Sequence, residues 1–491
     1  MVSRRKFLEN SALAAGGVML GQMPSGAAPT QPMIGIQVGA ISFVDEGTDN
    51  VLDGFQQMAN INTLFLATFT YGRGIAGRQP RGSPLPDHGK QEYDDNFRGG
   101  NFATPHPQYY RNTSIKPEKA QDHPGYDVIA DVLPKAHKRK MQVICWFEDV
   151  FRQDVPGLEK AVEIDLHGKP TGRTCTRNPN TRNFWKGLVE DYLRSYDVDG
   201  LMWGSERQGP LNNALGASHG AGPSPLNVGC FCNYCLDAAR KEGINVERAR
   251  KGFLALEEWI LGGKSAKKPV DGAFVTFWRI LVEHPEVLGW ERLWNEGLRD
   301  TYRDMYSLAH TIVQSKPIGW HIWHTNSFAP FYRAEQDYGE FSKYSDYLKV
   351  VMYNNCGGPR MARYVRNVNS TLFGDLTPEQ TLEFIYRVQQ YPNEKPLDRI
   401  PREGLSADYV LRETRRAVAG VGSNVKVWPG IDIDIPTGSD EKKTQPDDVY
   451  DAVKAAFNGG AHGVILSRKY SEMKLANLKA AGRAVRDLKL A

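Results

Sequence analysis

The stretch from Val198 to Cys235 contains two groups of residues that could do chemistry. Its first part is a short apolar run followed by Glu206 and Arg207, and the residues directly after a strand are where α/β enzymes commonly carry catalytic groups. Its last part contains cysteines at C-x-C-x2-C spacing, namely Cys230, Cys232 and Cys235. Thiolates at that spacing are better arranged to bind one metal ion than to pair as disulfides.

A tetrahedral zinc site needs a fourth ligand beside these three cysteines. Cys145 and Cys356 belong to predicted strand ends, whereas Cys175 lies in a loop directly before the helix that leads into the stretch. Cys175 is therefore the best fourth ligand. The set predicts a structural zinc and leaves no open position for catalysis at that metal. Two disulfides formed after export remain the alternative.

Short apolar runs alternate with amphipathic, helix-like segments along the chain. There are eight such runs: residues 33–40, 63–68, 142–147, 200–204, 318–323, 348–353, 425–433 and 463–466. Strand and helix alternating eight times predict an α/β fold of the (β/α)8 barrel type, with catalytic groups at the carboxyl ends of the strands. A doubly wound open sheet is the alternative, but no Gly-rich nucleotide-binding turn follows the first run.

Two loops of this predicted barrel are long. The segment from Tyr71 to Pro124, after the second strand, is rich in Gly, Pro, Asn, His and Tyr and is expected to lie over the barrel mouth. The segment from about 205 to 292, after the fourth strand, contains the cysteines and further helices. Neither is bounded by a Pro- or Ser-rich linker, so residues 29–491 are predicted to form one catalytic barrel with insertions.

The residues just past each predicted strand suit a sugar ligand. Carboxylates and amides pair with hydroxyl groups, and indole rings stack on pyranose faces. The candidates for substrate binding are Trp146, Glu148, Arg207, His321, Trp323, His324, Tyr353, Asn354 and Arg468. For each of these residues the alternative is a structural role: forming a salt bridge, packing at the barrel rim or filling the barrel interior. For catalysis, the candidates are Glu206 with Asp432 or Asp434 of the seventh strand.

The first 28 residues are predicted to be an export signal rather than part of the fold. Arg4 and Arg5 precede an apolar run from Ala12 to Leu20, as in a twin-arginine signal, which predicts a periplasmic or secreted protein. No later apolar stretch approaches the length of a membrane span, so no membrane insertion is expected after signal removal. A net charge of +4 over 491 residues makes nucleic acid an unfavourable partner. Oligomeric state is not indicated.

The residues from Cys175 to Cys235 resemble the family-42 β-galactosidases and related hypothetical glycosyl hydrolases. The shared features are a cysteine before a helix, a strand followed by Glu206, and the segment CFCNYC followed by a helix. The resemblance implies a carbohydrate substrate, Glu206 as general acid/base, and zinc bound by Cys175, Cys230, Cys232 and Cys235. The chain departs from the family at Ser205, where an Asn is usual, and in having no glutamate on strand seven.

These observations predict an exported glycoside hydrolase in which Glu206 is acid/base and an aspartate, preferably Asp434, is the nucleophile. Net retention needs the two carboxyl groups about 5–5.5 Å apart, whereas inversion needs roughly 6.5–9.5 Å. The first alternative is a carbohydrate-binding barrel without chemistry, which the missing glutamate favours. The second is a metal-dependent hydrolase that uses His321 and His324, although residues at that spacing on a strand point to opposite faces.

Overall fold

The structure, a computed structural model, describes residues 31–220, 222–263 and 269–490. The predicted signal segment, residues 1–28, therefore lies outside the described residues. Residues from Met33 onward form one unit. Its strands are β1 (Met33–Val38), β2 (Thr63–Thr70), β3 (Gly100–Asn101), β4 (Gln142–Glu148), β5 (Val162–Ile164), β6 (Pro170–Thr174), β7 (Gly200–Gly204), β8 (Ile318–Ile322), β9 (Tyr347–Val350), β10 (Lys426–Val427), β11 (Gly430–Asp432) and β12 (Gly463–Ser467).

Eight parallel strand positions form the barrel, in the order β1, β2, β4, β7, β8, β9, β10 with β11, and β12. The seventh position is split, because β10 pairs with β9 while β11 pairs with β12. Between the halves lies Pro429, which has no backbone N–H to donate to a ladder. Gly430 bridges Val351 just after β9 and also pairs with Ile465 of β12, so the ring closes. The predicted (β/α)8 fold is confirmed.

The barrel strands are apolar on both faces because the ring interior and the surrounding helices each bury one of them. All residues of β2 are buried, and so are all residues of β7 and β12. Three tryptophans, Trp146, Trp203 and Trp320, are among the largest fully buried side chains. This packing makes the strand ends rigid supports for the side chains at the mouth.

Amphipathic helices cover the outside of the ring and the loops. They are α1 (Ala40–Glu46), α2 (Thr48–Ala59), α3 (Arg73–Ala76), α4 (Val128–Lys138), α5 (Pro179–Ser195), α6 (Pro210–Leu215), α7 (Asn233–Lys241), α8 (Val246–Gly263), α9 (Ala273–Glu283), α10 (Glu286–Ile312), α11 (Thr325–Phe328), α12 (Pro330–Glu335), α13 (Tyr338–Phe341), α14 (Gly357–Asn369), α15 (Pro378–Gln389), α16 (Ile400–Glu403), α17 (Ala407–Val421), α18 (Pro446–Asn458) and α19 (Leu475–Asp487). None of the helices in the described part of the chain combines the length and hydropathy that a membrane crossing requires.

Candidate active site

Polar side chains from three adjacent strands meet at the barrel mouth. Glu148 is the last residue of β4, Glu206 follows β7, and His321 lies in β8. In the parallel ladder Glu148 pairs with Gly204, and Gly204 pairs in turn with His321. The carboxyl ends of neighbouring parallel strands lie at the same edge of a sheet, so these side chains share one site.

Glu206 is held by a hydrogen bond from His321. A Cβ on Gly204 would lie 2.8 Å from the Cβ of His321, so glycine at this position allows β7 and β8 to approach closely. His321 Nε2 then lies 3.0 Å from Glu206 Oε1. The His321 side chain is buried, whereas 47% of the Glu206 side chain is exposed. Glu206 therefore presents part of its carboxylate to a molecule in the mouth.

A buried lysine determines which nitrogen of His321 carries the proton. Lys349 Nζ lies 3.1 Å from Gln37 Oε1, 3.1 Å from His321 Nδ1 and 2.8 Å from the Tyr353 hydroxyl. As an ammonium group, Lys349 has three protons for these three acceptors. His321 Nδ1 is then the unprotonated nitrogen, so Nε2 carries the proton and donates it to Glu206.

The surroundings of Glu206 keep it ionised. Desolvation raises its pKa, but the hydrogen bond from His321 and the positive charge of groups such as Arg360 outweigh that effect and lower the pKa to about 2. Burial, together with the charge of Lys349, lowers the pKa of His321 to about 4. At neutral pH, a neutral histidine therefore donates to a charged carboxylate.

Glu148 has the opposite tendency. Its side chain is buried and accepts a hydrogen bond of 2.9 Å from the Trp146 indole. Desolvation, followed by repulsion from Glu206, raises the pKa of Glu148 to about 8. Burial lowers the pKa of the neighbouring Lys349 to about 7, against the attraction of Glu148 and Glu206. Two carboxyl groups whose pKa values are driven apart are typical of an acid and base pair in an active site.

Arg207 lies in a buried ion network rather than facing the mouth. Its guanidinium lies 3.1 Å from an Asp149 oxygen and 2.8 Å from a Glu163 oxygen, and it donates to the carbonyl of Thr174 at 2.7 Å. Asp149 also accepts a hydrogen bond from Ser205. The network therefore ties the segment that contains Glu206 to the loop after β4.

Replacing Arg207 by Met is expected to lower the free energy of unfolding by about 3–5 kcal/mol, because Asp149 and Glu163 would be left buried without a cation. Chemical denaturation followed by circular dichroism measures this difference. Arg292→Met is the matched control, since Arg292 and its partner Glu242 form an exposed pair that contributes at most about 1 kcal/mol. Equal losses in the two variants would contradict the prediction.

Both aspartates of the seventh strand position hold backbone and amide groups. Asp432 is fully buried and accepts hydrogen bonds from the backbone N–H groups of Asn355 and Cys356, at 3.3 and 2.8 Å. Asp434 accepts from the backbone N–H of Lys474, next to the start of α19, at 2.8 Å, and from the Asn477 side chain. The nucleophile role remains a prediction for both residues. In the structure, their carboxylate oxygens accept hydrogen bonds that hold the neighbouring loops in place.

The other predicted substrate-binding residues differ in how exposed their side chains are and in the partners that they already have. His324 is fully buried between Arg360 and the Tyr409 hydroxyl. Arg468 forms an ion pair with Glu472. Tyr353 bonds Lys349, and the buried Asn354 side-chain oxygen has no hydrogen-bond partner among the described residues. Trp323 is half-buried and forms part of the wall. Substrate contact by these residues remains a prediction.

Four residues that sequence reasoning missed complete the site: Gln37, His219, Lys349 and Arg360. The sequence contains one signal that could have revealed Lys349. A lysine inside the otherwise apolar run of β9 is costly to bury unless it is paired. His219 and Arg360 follow their strands at a distance and had no comparable signal. Their placement depends on how the loops fold over the mouth.

The four predicted cysteine ligands come together. The sulfur atoms of Cys175, Cys230, Cys232 and Cys235 all lie within 4.8 Å of one another. Cys175 Sγ lies 3.6 Å from the sulfurs of both Cys232 and Cys235. Tetrahedral zinc with Zn–S bonds of about 2.3 Å places its sulfurs roughly 3.8 Å apart, so the donor set fits one zinc ion. A disulfide needs about 2.05 Å, which these distances do not approach.

The arrangement of His321 and His324 does not form a second metal site. The ring nitrogens of His321 face Glu206 and Lys349, and those of His324 face Tyr409 and Arg360. The two rings therefore have separate sets of partners, and the cations beside them repel a metal ion. The geometry does not favour the metal-dependent hydrolase considered from the sequence.

Comparison with known families places part of the chain among glycosyl hydrolases. Residues 106–204 match the sequence model of a family described as Glycosyl hydrolase-like 10. The matched segment includes Glu148 and Cys175 and ends two residues before Glu206. The predicted resemblance to glycoside hydrolases of the barrel type is confirmed, and this match supports assignment to that class of enzyme. None of the curated proteins matches the chain significantly.

Several solved structures are similar in architecture. The β-galactosidase from the psychrophilic Marinomonas ef1 has a TM-score of 0.49 at 10% identity, with 93% of this chain and 59% of that chain covered. The α-L-fucosidase isoenzyme 2 from Paenibacillus thiaminolyticus has 0.48 at 9%, covering 94% and 49%. The PgaB (BpsB) glycoside hydrolase domain from Bordetella bronchiseptica has 0.47 at 12%, covering 93% and 98%. The chain thus spans about half the length of the fucosidase.

Proposed function

We propose that this protein hydrolyses O-glycosidic bonds in a carbohydrate bound at the barrel mouth, with Glu206 and Glu148 as the two reacting carboxyl groups. The observation that carries the proposal is that these carboxyls lie on adjacent strands and have pKa values of about 2 and about 8. At neutral pH one is a carboxylate and the other an acid, which are the two forms that glycoside hydrolysis needs.

The reaction would proceed in two steps. Glu148 gives its proton to the glycosidic oxygen as the bond to the anomeric carbon breaks, and the Glu206 carboxylate attacks that carbon to form a glycosyl ester. A water molecule then attacks the same carbon and gives a proton to Glu148. The ester bond breaks, and Glu206 returns to the carboxylate form. His321 orients Glu206 and keeps it ionised before the attack, and Lys349 fixes which nitrogen of His321 carries the proton.

This assignment differs from the one predicted from the sequence, in which Glu206 is acid/base and a strand-seven aspartate is the nucleophile. A pKa of about 2 makes Glu206 a poor proton donor, and the oxygens of Asp432 and Asp434 bond the backbone. The two carboxyls follow neighbouring strands of the sheet, which favours the short separation that a retaining enzyme needs. Retention therefore remains our proposal, with Glu206 as the nucleophile and Glu148 as the acid/base.

A screen of aryl glycosides at neutral pH tests the proposed function. We expect release of the phenol from at least one sugar, and proton NMR of the first product is expected to show the same anomer as the substrate. A barrel that binds sugars without hydrolysis would show affinity for a glycoside and no release. That outcome would contradict the proposal.

Replacing Lys349 by Met tests how the site controls protonation. In the wild type, kcat/KM is expected to fall as pH rises through about 7 to 8, where Lys349 and Glu148 lose their protons. The positive charge of Lys349 lowers the pKa of Glu148, so its removal raises that pKa and moves the fall to higher pH. Loss of the bond to His321 is expected to lower the maximum about tenfold or more. Steady-state measurements of kcat/KM across the pH range measure both effects.

Lys343→Met is the control, because Lys343 forms an exposed pair with Glu340 away from these groups. Its pH profile is expected to match that of the wild type. A Lys349→Met enzyme whose alkaline limb stays at the wild-type pH would show that Lys349 does not act on Glu148.

The four-cysteine cluster is proposed to hold a structural zinc ion, with no metal taking part in catalysis. When bound, zinc supplies a cross-link between the loop at Cys175 and the segment at Cys230 to Cys235. We further propose export through the twin-arginine signal of residues 1–28. That route carries folded proteins, and it would allow the thiolates to be loaded before they meet an oxidising compartment.

A further inference from the structure

Arg360, near the barrel mouth, has no carboxylate partner among the described residues, unlike Arg207 and Arg468. Arg207 is paired with Asp149 and Glu163, and Arg468 is paired with Glu472. Arg360 forms no ion pair with any residue that the structure describes. Among the described residues, its side chain makes one hydrogen bond, from Nη1 to His324 Nδ1 at 3.1 Å. Most of the N–H groups of this guanidinium are therefore available to a ligand.

Arg360 lies among aromatic rings. Its guanidinium lies 5.7 Å from the centre of the Tyr353 ring. The His219 ring lies 5.8 Å from that of His324, which bonds Arg360, and 5.2 Å from that of Trp323. We call Arg360, His219, Trp323 and Tyr353 the Arg360 subsite. An aromatic ring in such a group can stack against one face of a sugar while the guanidinium binds a substituent of the sugar.

The Arg360 subsite adjoins the carboxylate that we propose reacts. The charge of Arg360 contributes to lowering the pKa of Glu206, and Glu206 acts in turn on His219. No ion pair joins Arg360 to Glu206 among the described contacts, so the guanidinium keeps N–H groups for a ligand. An oxyanion that contacts this guanidinium directly would form a close ion pair beside the reacting carboxylate.

We infer that the substrate carries an oxyanion, either the carboxylate of a uronic acid or a sulfate ester, on the sugar ring that lies in the Arg360 subsite. The inference rests on the proposed function and adds the chemical class of the sugar. A guanidinium binds a carboxylate or sulfate with two parallel hydrogen bonds, a geometry that neutral hydroxyl groups do not match.

Matched pairs of aryl glycosides test the inference. Each pair differs only at C6: a uronide against the hexoside, in the gluco and galacto series, with the 6-sulfated galactoside as a third arm. We expect kcat/KM to favour a charged member. In Arg360→Met, the ratio of charged to neutral kcat/KM is expected to fall about 10- to 100-fold. A preference for the uronide or for the sulfated sugar distinguishes the two sources of the oxyanion.

Arg387→Met is the control, because Arg387 is exposed on α15 and is paired with Glu383. The charged-to-neutral ratio of this variant is expected to equal that of the wild type. Hydrolysis of neutral glycosides with the same or higher kcat/KM, and a ratio that Arg360→Met leaves unchanged, would overturn the inference while the proposed function stands.

A binding experiment separates this inference from the proposed function. Calorimetric titrations of wild type and Arg360→Met with galacturonate, glucuronate, galactose and glucose need no turnover. If no glycoside is hydrolysed but a uronate binds to the wild type and not to Arg360→Met, the proposed function fails and the oxyanion site stands. Equal affinity for acids and neutral sugars in both proteins would overturn the oxyanion site.

Discussion

Replacing Glu206 by Gln is expected to lower kcat/KM about 10³-fold or more for every glycoside that the wild type hydrolyses. Gln is nearly the same size and still accepts a hydrogen bond from His321, so the fold should be preserved. It carries no negative charge and cannot form the glycosyl ester. The loss is therefore expected in kcat, and thermal unfolding is expected to stay within a few degrees of the wild type.

Glu441→Gln is the matched control for this loss, because Glu441 is a carboxylate paired with Arg363 in the loop after β11. Its activity is expected to match the wild type. If Glu206→Gln retains more than about a tenth of the wild-type kcat/KM, Glu206 is not a reacting group.

The role of Glu148 is distinguished by the leaving group of the substrate. Without its acid, Glu148→Gln is expected to lose most activity on sugars with a poor leaving group and much less on dinitrophenyl glycosides, whose phenolate needs no proton. Glu206→Gln is expected to lose both alike. If Glu148→Gln lost activity equally on substrates with either leaving group, a residue other than Glu148 would be the acid.

Replacing Cys175 by Ser is expected to abolish the proposed zinc binding and to lower the free energy of unfolding by about 4 kcal/mol or more. Cys175 comes from a different part of the chain than the other three cysteines. Its loss therefore breaks the cross-link between the two segments. The adjacent Thr174 carbonyl accepts a hydrogen bond from Arg207, so the segment that contains Glu206 should also loosen. Native mass spectrometry counts the zinc, and chemical denaturation measures stability.

Cys145→Ala is the control for the cysteine change. Cys145 is buried in β4 and has no place in the thiolate cluster. This variant is expected to keep one zinc ion per chain and to lose only the stability of a slightly smaller core residue. Wild-type protein without zinc, or Cys175→Ser protein that retains it, would contradict the structural role.

The barrel and most of its helices were predictable because their signal is local and repeated. Each strand is a short apolar run, and the helical period of residues 446–458 predicts α18 with the bounds that the structure has. The period of residues 293–313 also predicts a helix, but α10 begins further upstream, at Glu286. The buried positions Val287 and Trp290 continue its period upstream, directly after Pro285, where a helix readily begins.

The sequence by itself determined the fold class and which four cysteines cluster, and it predicted Glu206 as a reacting group. The apolar runs, the cysteine spacing and a carboxylate at a strand end are each visible within a few residues or in one simple repeat. Only the tertiary structure decided what surrounds Glu206. Lys349 reaches His321 from a neighbouring strand, Glu148 lies beside Glu206 because β4 and β7 pair, and Arg360 reaches His324 from the first turn of α14. Protonation depends on burial and on charges brought together from distant parts of the chain, and no local pattern records these.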